Sequence, residues 1–279
     1  MKKINFYKMS GSGNDFIIID NRNNVVEEKN LSDFISSACR RKMSVGADGL
    51  ILIENSKNID FKWRFFNSDG SRAEMCGNGA RCAARFAYIN KIAGPKMSFE
   101  TDAGIVLAQV KNGLVKIKMT EPKDLKFDFT IDAADEPVTV SSINTGVPHV
   151  VIPVDNIDDI EVVKLGRKIR YHEKFAPAGT NVNFFYPVNE DKIKIRTYER
   201  GVEGETLACG TGAVACALVY ANKTNIKSPI SVMTKSGGWL SIYFERKTDA
   251  FYNIYLKGDA RIIYRGEMSE DAINYISAD

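Results

Sequence analysis

The chain has 279 residues, 44% hydrophobic and 26% charged, with a net charge of +3 and a mean hydropathy of −0.21. That composition fits a soluble globular protein and argues against a disordered or fibrous one. The positive balance is slight and its one dense run, Arg40-Arg41-Lys42, reads as a solvated helix end, so nucleic acid and membrane surfaces are weak candidates as partners.

In chain order, the basic start Met1-Lys2-Lys3-Ile4 lacks the apolar stretch of a secretory signal. Residues 16–19, 50–53 and 63–66 are short β-type runs, and 31–41 reads as a surface helix. Residues 79–89 are Ala-rich with Phe86 and Ile89 at helical spacing, and Gly94-Pro95 stops the pattern. A hairpin follows: 105–110, the turn Lys111-Asn112-Gly113, then Val115, Ile117 and Met119 alternating. Further strands are predicted at 150–152, 183–186 and 193–197, with a second surface helix at 160–169. Residues 213–221 are apolar on every side, which predicts a helix enclosed by its own domain, and the stretch is too short to span a bilayer, which takes about 18 residues. The last hairpin is 239–244, a polar turn at Lys247-Thr248-Asp249, and 251–256.

The chain repeats itself once. Met75-Cys76-Gly77-Asn78-Gly79-Ala80-Arg81-Cys82 reads like Ala208-Cys209-Gly210-Thr211-Gly212-Ala213-Val214-Ala215-Cys216. Upstream, Arg64-Phe65-Phe66-Asn67-Ser68 parallels Arg196-Thr197-Tyr198-Glu199-Arg200, and downstream Thr101-Asp102-Ala103-Gly104 parallels Thr234-Lys235-Ser236-Gly237. Matched flanks make a duplication the better explanation than chance, with each half a usual domain of about 120–130 residues. The predicted fold class is therefore α+β: two pseudo-symmetric domains, each a mostly antiparallel, barrel-like sheet around a central helix. The first spans 1–122, with 266–279 returning to it, and the second spans 123–265.

Five cysteines, Cys39, Cys76, Cys82, Cys209 and Cys216, form no C-x-x-C pair and are odd in number, which argues against a disulfide framework and for a reducing cytoplasm. With two histidines, His149 and His172, a zinc site is not expected. Cys39, Cys82 and Cys216 take the default reading of buried, inert thiols. Cys76 and Cys209 do not, because each ends a strand-to-helix turn. Exposed N–H groups and the helix dipole there favour a thiolate and receive an anion, and the glycines let the backbone approach it. Two such sites related by duplication predict two thiols that address one ligand from opposite sides. Taking a proton from one face of a carbon and returning it on the other inverts the stereocentre, and helix N–H groups aimed at the carboxylate would stabilise the carbanion. No dinucleotide loop is seen, since Gly11-Ser12-Gly13-Asn14-Asp15-Phe16 lacks the third glycine.

The sequence closely resembles the diaminopimelate epimerase family over nearly its whole length. The resemblance rests on Met9-Ser10-Gly11-Ser12-Gly13-Asn14-Asp15-Phe16, Phe66-Asn67-Ser68-Asp69-Gly70 leading to Cys76, Gly146-Val147-Pro148-His149, Thr180-Asn181-Val182-Asn183-Phe184, and Tyr198-Glu199-Arg200-Gly201-Val202-Glu203-Gly204-Glu205-Thr206 leading to Cys209. It implies a cofactor-independent isomerase that interconverts L,L- and meso-diaminopimelate for lysine and peptidoglycan precursors, acting as a cytoplasmic homodimer. It implies Cys76 and Cys209 as the acid/base pair and Gly77, Asn78, Gly210 and Thr211 around the reacting carboxylate. Asn14, Asn67, Asn181, Glu199 and Arg200 would hold the rest of the substrate, with Arg200 on the distal carboxylate, and His149 is either a supporting site residue or a structural one. Two departures bear on the substrate contacts. Val147 stands where the family often has Asn, a contact Asn144 could take over, and Gly49 stands where many members carry a long polar residue. Two alternatives stay open: a proline or hydroxyproline racemase of the same fold, disfavoured by Asn78 where those enzymes typically carry His, and a non-catalytic amino-acid-binding or redox thiol protein.

Overall fold

The computed structural model describes residues 3–133, 136–248 and 250–273. Asp249 of the predicted polar turn, and 274–279 of the segment expected to return to the first domain, lie outside the described residues. The chain folds as two units, Met1–Ile117 with Asp259–Asp279, and Lys118–Gly258. Each is α+β.

The first unit opens with β1 (Ile4–Gly11) and β2 (Asn14–Asp20), followed by α1 (Leu31–Cys39), β3 (Gly49–Glu54), β4 (Phe61–Asn67) and the short β5 (Arg72–Ala73). Then come α2 (Gly77–Ile89), β6 (Lys96–Thr101), β7 (Gly104–Lys111) and β8 (Leu114–Lys118). Strand β2 lies antiparallel to β1 and parallel to β3, with α1 as the crossover. Strand β4 lies antiparallel to β3 and β5 and parallel to β6, with α2 as the crossover. Antiparallel β6–β7 and β7–β8 pairs continue the sheet. The predicted hairpin is β7–β8, and Asn112 and Gly113 both take positive φ (52° and 77°), as a type I′ turn demands.

Burial explains the pairing. Strands β2 and β3 are apolar almost without break because both faces are covered. Ile17, Ile19, Leu50 and Leu52 pack on Ile35, Ala38 and Cys39 of α1. Phe16 and Ile51 take the other face, against the start of α2 at Gly79. Each fully buried Ile or Leu contributes about 1.5–3 kcal/mol. Strand β7 alternates exposed and buried residues, as a strand covered on one face does.

The second unit runs β9 (Lys123–Ala133), β10 (Glu136–Asn144), β11 (Pro148–Pro153), α3 (Val162–Arg170), β12 (Asn181–Asn189), β13 (Lys192–Glu199) and β14 (Gly204–Thr206). It ends with α4 (Gly210–Thr224), β15 (Ile230–Met233), β16 (Trp239–Lys247) and β17 (Ala250–Asp259). Its pairings repeat those of the first unit step for step. Strand β10 is antiparallel to β11, β11 parallel to β12, and β12 antiparallel to β13. Strand β13 is antiparallel to β14 and parallel to β15, and β15–β16 and β16–β17 are antiparallel. Helix α3 covers Val150, Ile152, Val182 and Phe184 as α1 covers its counterparts. From Gly212 to Ala221, α4 is buried on every side, as its composition predicts.

The last strand, β18 (Arg261–Met268), rejoins the first unit antiparallel to β1, where β9 pairs with β10 in the second unit. Among the described residues no helix is long and apolar enough to cross a membrane.

Candidate active site

In the first unit the chain leaves β5 and starts α2 at Cys76, the half-buried N-cap, whose backbone is extended (φ −145°, ψ 117°) and whose carbonyl receives the Ala80 N–H at 2.8 Å. Gly77, Asn78 and Gly79 form the first turn. Asn78 is buried and its amide spans the turn. Nδ2 donates to Asn14 Oδ1 at 2.6 Å, and Oδ1 accepts from Arg81 Nη2 at 2.9 Å. Asn14 in turn donates to Asp48 Oδ2 at 3.1 Å.

Asp48 belongs to a charged cluster. Asp15 pairs with Lys8 at 2.8 Å, and Arg41 bonds both Asp15 and Asp48. Burial works against the Asp15 charge, yet hydrogen bonds and charge from Arg41 and Lys8 hold its carboxyl down at about 2. The cluster fixes the start of β2 and with it Asn14. Asn67 ends β4 with its side chain exposed, its amide donating to Ser71 Oγ at 3.1 Å across a tight turn. A side chain at Gly49 has no space, since a Cβ would lie 2.6 Å from the Phe66 carbonyl and 2.7 Å from the Phe65 ring.

In the second unit Cys209 caps α4 in the same way (φ −114°, ψ 111°). Its sulfur accepts from the Gly212 N–H at 3.4 Å and lies 3.5 Å from Thr211 Oγ1. Burial pushes this thiol well up, and the neighbouring Glu199 carboxylate pushes the same way, while Thr211 and the Gly212 N–H oppose them. Glu199, the last residue of β13, accepts from Thr206 Oγ1 at 2.9 Å. Burial raises its carboxyl above the usual range, and hydrogen bonds from Thr206 and Cys209 offset part of that.

Asn181 and Arg200 are bonded to each other: Asn181 Oδ1 receives the Arg200 backbone N–H at 2.8 Å, and the Arg200 guanidinium donates to the Ala178 carbonyl at 3.0 Å. His149 is buried with its Nδ1 3.1 Å from Asn183 Nδ2, so Nδ1 accepts and Nε2 carries the proton. Burial pushes the imidazole down to about 3, and it is neutral. Nε2 finds no hydrogen-bond partner among the described residues. Asn144, considered as a substitute for the amide lost at Val147, spends its Oδ1 on the Gly146 N–H at 3.0 Å.

Sequence reasoning passed over Asn183, Thr145 and Arg81. Asn183 also donates to the Val150 carbonyl at 2.9 Å and accepts from Thr197 Oγ1 at 3.0 Å, and a Cβ on Gly212 would fall on its amide oxygen. In strand register His149 pairs with Asn181 as Phe16 pairs with Gly49, and Asn183 pairs with Thr197 as Ile51 pairs with Phe65. The first unit therefore supports its helix start on Phe16 and Ile51, and the second on a polar network. An Asn inside the apolar run Val182–Phe185, where the repeat has Ile, was the available signal for Asn183. The three cysteines read as structural are buried, and burial pushes Cys39 and Cys82 up to about 12.

Comparison with known proteins adds a family. A family model described as diaminopimelate epimerase matches residues 6–125 and 141–263. Among curated proteins, the diaminopimelate epimerase of Aquifex aeolicus (strain VF5) is 51% identical, covering 97% of this chain and 99% of its own. Those of Hydrogenobaculum sp. (strain Y04AAS1) and Archaeoglobus fulgidus are 45% and 42% identical, over 94% and 98% of this chain and 97% and 99% of theirs. Among solved structures, a Bacillus anthracis phenazine biosynthesis protein of the PhzF family is similar with a TM-score of 0.74 at 18% identity, covering 96% of this chain and 100% of that one. A hydroxyproline epimerase from Agrobacterium vitis is similar with a TM-score of 0.64 at 14% identity, covering 100% of this chain and 96% of that one. At such identities the solved structures speak to the fold alone.

Proposed function

Since the chain belongs to the diaminopimelate epimerase family, we propose that it interconverts L,L- and meso-diaminopimelate by a two-base exchange in which Cys76 and Cys209 are the bases. The observation that carries this reading is the repeated construction: in each unit a cysteine caps a buried helix whose first turn is Gly-x-Gly.

One sulfur, as thiolate, takes the α-proton and becomes a thiol. The other, as thiol, gives its proton to the opposite face of the carbanion and becomes a thiolate. The enzyme ends with the two protonation states exchanged, and the reverse reaction runs with the roles swapped. First-turn N–H groups, with Gly77, Asn78, Gly210 and Thr211, hold the reacting α-carboxylate and stabilise charge as the carbanion forms. Glu199, whose carboxyl burial raises, accepts a hydrogen bond from the Cys209 thiol and so orients that sulfur. Asn14, Asn67, Asn181, Glu199 and Arg200 bind the remainder of the substrate, with Arg200 on its distal carboxylate. His149, held by Asn183, supports the turn that starts α4. No cofactor enters this scheme. The product serves lysine and peptidoglycan precursor synthesis. Five cysteines outside any disulfide suit a reducing cytoplasm, and the resemblance supports a homodimer.

The test is epimerisation of L,L-diaminopimelate by purified protein in reducing buffer and deuterated water, with L-proline as the control substrate. Cys76→Ala and Cys209→Ala should each abolish turnover. Cys39→Ala, Cys82→Ala and Cys216→Ala should keep most of it. Near-normal turnover by either of the first two variants would sink the two-base reading.

A further inference from the structure

The duplication is also broken on α2. Arg81 lies on α2 five residues after Cys76; the matching position on α4 is Val214. Arg81 has no solvent exposure. Its guanidinium donates to Ser12 Oγ (2.7 Å), Asn78 Oδ1 (2.9 Å), the Asp259 carbonyl (3.1 Å) and the Gly77 carbonyl (3.2 Å). All four acceptors are neutral oxygens. Gly11 makes the space, since a Cβ there would press on the Asn78 carbonyl at 3.0 Å and lie 3.5 Å from Arg81 Nη2. In the second unit Thr145 stands where Ser12 does and donates directly to the Thr211 carbonyl at 3.0 Å, closing that space over an apolar residue.

A buried cation bonded only to neutral groups favours negative charge nearby. Burial works against the Arg81 charge, and the ionisable groups that support it are, in falling order, Cys82 on its own helix, Asp259 from the returning segment and Cys76 at the helix cap. Asp259 is already engaged, accepting from Ser12 N and Oγ and pairing with Arg261 at 2.7 Å. Cys82 is deeply buried and stays a thiol. Arg85, one turn further on, adds another positive charge and donates to the Ala260 carbonyl. On the Cys209 side the neighbouring charge is the Glu199 carboxylate, of opposite sign.

We propose that Arg81 is a positioning residue that makes the two cysteines unequal: its buried charge makes Cys76 the thiolate and leaves Cys209 the thiol in the ligand-free enzyme, while its hydrogen bonds lock Asn78 and Gly77 at the helix start. This rests on the reading of Cys76 and Cys209 as the acid/base pair. The readout is alkylation, which needs no turnover, so a failure here is separable from a failure of that reading.

The experiment is site-resolved alkylation of the full chain by iodoacetamide between pH 5 and 10, scored by peptide mass spectrometry, with kcat and KM measured alongside. The pH midpoint is the deciding quantity, because exposure changes a rate but not a midpoint. In the parent, Cys76 should show the lower midpoint. Arg81→Met should slow Cys76 alkylation at pH 7 at least tenfold and raise its midpoint by about one unit, with Cys209 unmoved. Arg81→Lys keeps the charge and loses the fork of hydrogen bonds. It should hold the Cys76 midpoint while lowering kcat more than tenfold. Asp259→Asn removes the opposing carboxylate and should lower the Cys76 midpoint by about half a unit, and this variant decides the matter if Arg81→Met does not fold. A Cys76 midpoint unmoved in a folded Arg81→Met, a Cys76 midpoint unmoved or raised in Asp259→Asn, or a lower midpoint for Cys209 than for Cys76 in the parent overturns the proposal.

Discussion

At the scale of single residues, charge and burial divide the labour within the second unit. Arg200 presents a fixed positive charge on a backbone that Asn181 anchors. On the proposed role of Arg200 at the distal carboxylate, Arg200→Met leaves both cysteines and both helix starts in place and should remove a charge-assisted bond to the substrate. Such a loss costs on the order of 2–5 kcal/mol, so kcat/KM for diaminopimelate should fall more than tenfold. Arg200→Lys should rescue it only in part. Equal losses on a short amino acid lacking a distal head would mean that Arg200 does not select the substrate. His149 makes a different prediction. Its folded value of about 3 lies below the ordinary 6.5, so below pH 6.5 the unfolded chain takes up a proton that the folded chain refuses. The stability of the neutral buried ring is fully present above pH 6.5 and is lost toward pH 3 at about 1.4 kcal/mol per pH unit. His149→Phe places there the residue type that the first unit uses at Phe16 and removes that dependence. Urea midpoints at pH 7, 6, 5 and 4 should show a shallower acid slope in the variant, and an identical slope would rule out a buried neutral His149.

At the scale of elements, the two helix starts look alike in sequence but rest on different supports. A Cβ on Gly79 meets Ile51 Cδ1 at 3.3 Å and Phe16 at 3.5 Å, contacts that side chains can relieve. A Cβ on Gly212 collides with the Asn183 amide, which three hydrogen bonds hold in place, and approaches Cys209 Sγ at 3.2 Å. Gly212→Ala should therefore cost about 1–3 kcal/mol as an overpacked site and displace the Cys209 sulfur, lowering kcat. Gly79→Ala should cost less on both counts. Thermal unfolding and turnover of the two variants check the order. This contrast explains what could be read in advance. The helix starts were visible because Cys-Gly-x-Gly before an apolar run is a local signal, and β7–β8 was visible through Asn112-Gly113. The β9–β10 hairpin was not, because most of β9 is exposed and its alternation carries little hydrophobic contrast. Arg81 was not either: a sequence cannot show that an arginine is buried when its four acceptors come from residues 12, 77, 78 and 259. The contacts of Asn181 with Arg200 and of Glu199 with Cys209 became geometry only once β12 and β13 were paired.

At the scale of the whole molecule, the repeat is plain in the order of pairings yet unequal along the chain. The second unit is one continuous stretch, Lys118–Gly258, whereas the first needs Asp259–Asp279 to complete it. A fragment of residues 118–258 should therefore unfold in a single cooperative urea transition. A fragment of residues 1–117 should not, because β1 keeps only β2 as a neighbour and Phe6 and Ile4 lose the cover of Met268. Adding a peptide of residues 259–273 should restore part of its structure by circular dichroism. A cooperative 1–117 fragment would mean that β18 is dispensable.

The return of β18 also sets a timetable on the ribosome. The first unit emerges first but lacks its last strand until the whole second unit has been translated. At elongation rates of about 5–20 residues per second that delay is roughly seven to thirty seconds. Through it β1 presents an unpaired edge, the kind of edge that nascent chains on neighbouring ribosomes can join. The half of the protein made first is thus the half finished last. Codon choice along residues 118–258, and the chaperones that meet the emerging chain, should therefore affect the yield of folded protein.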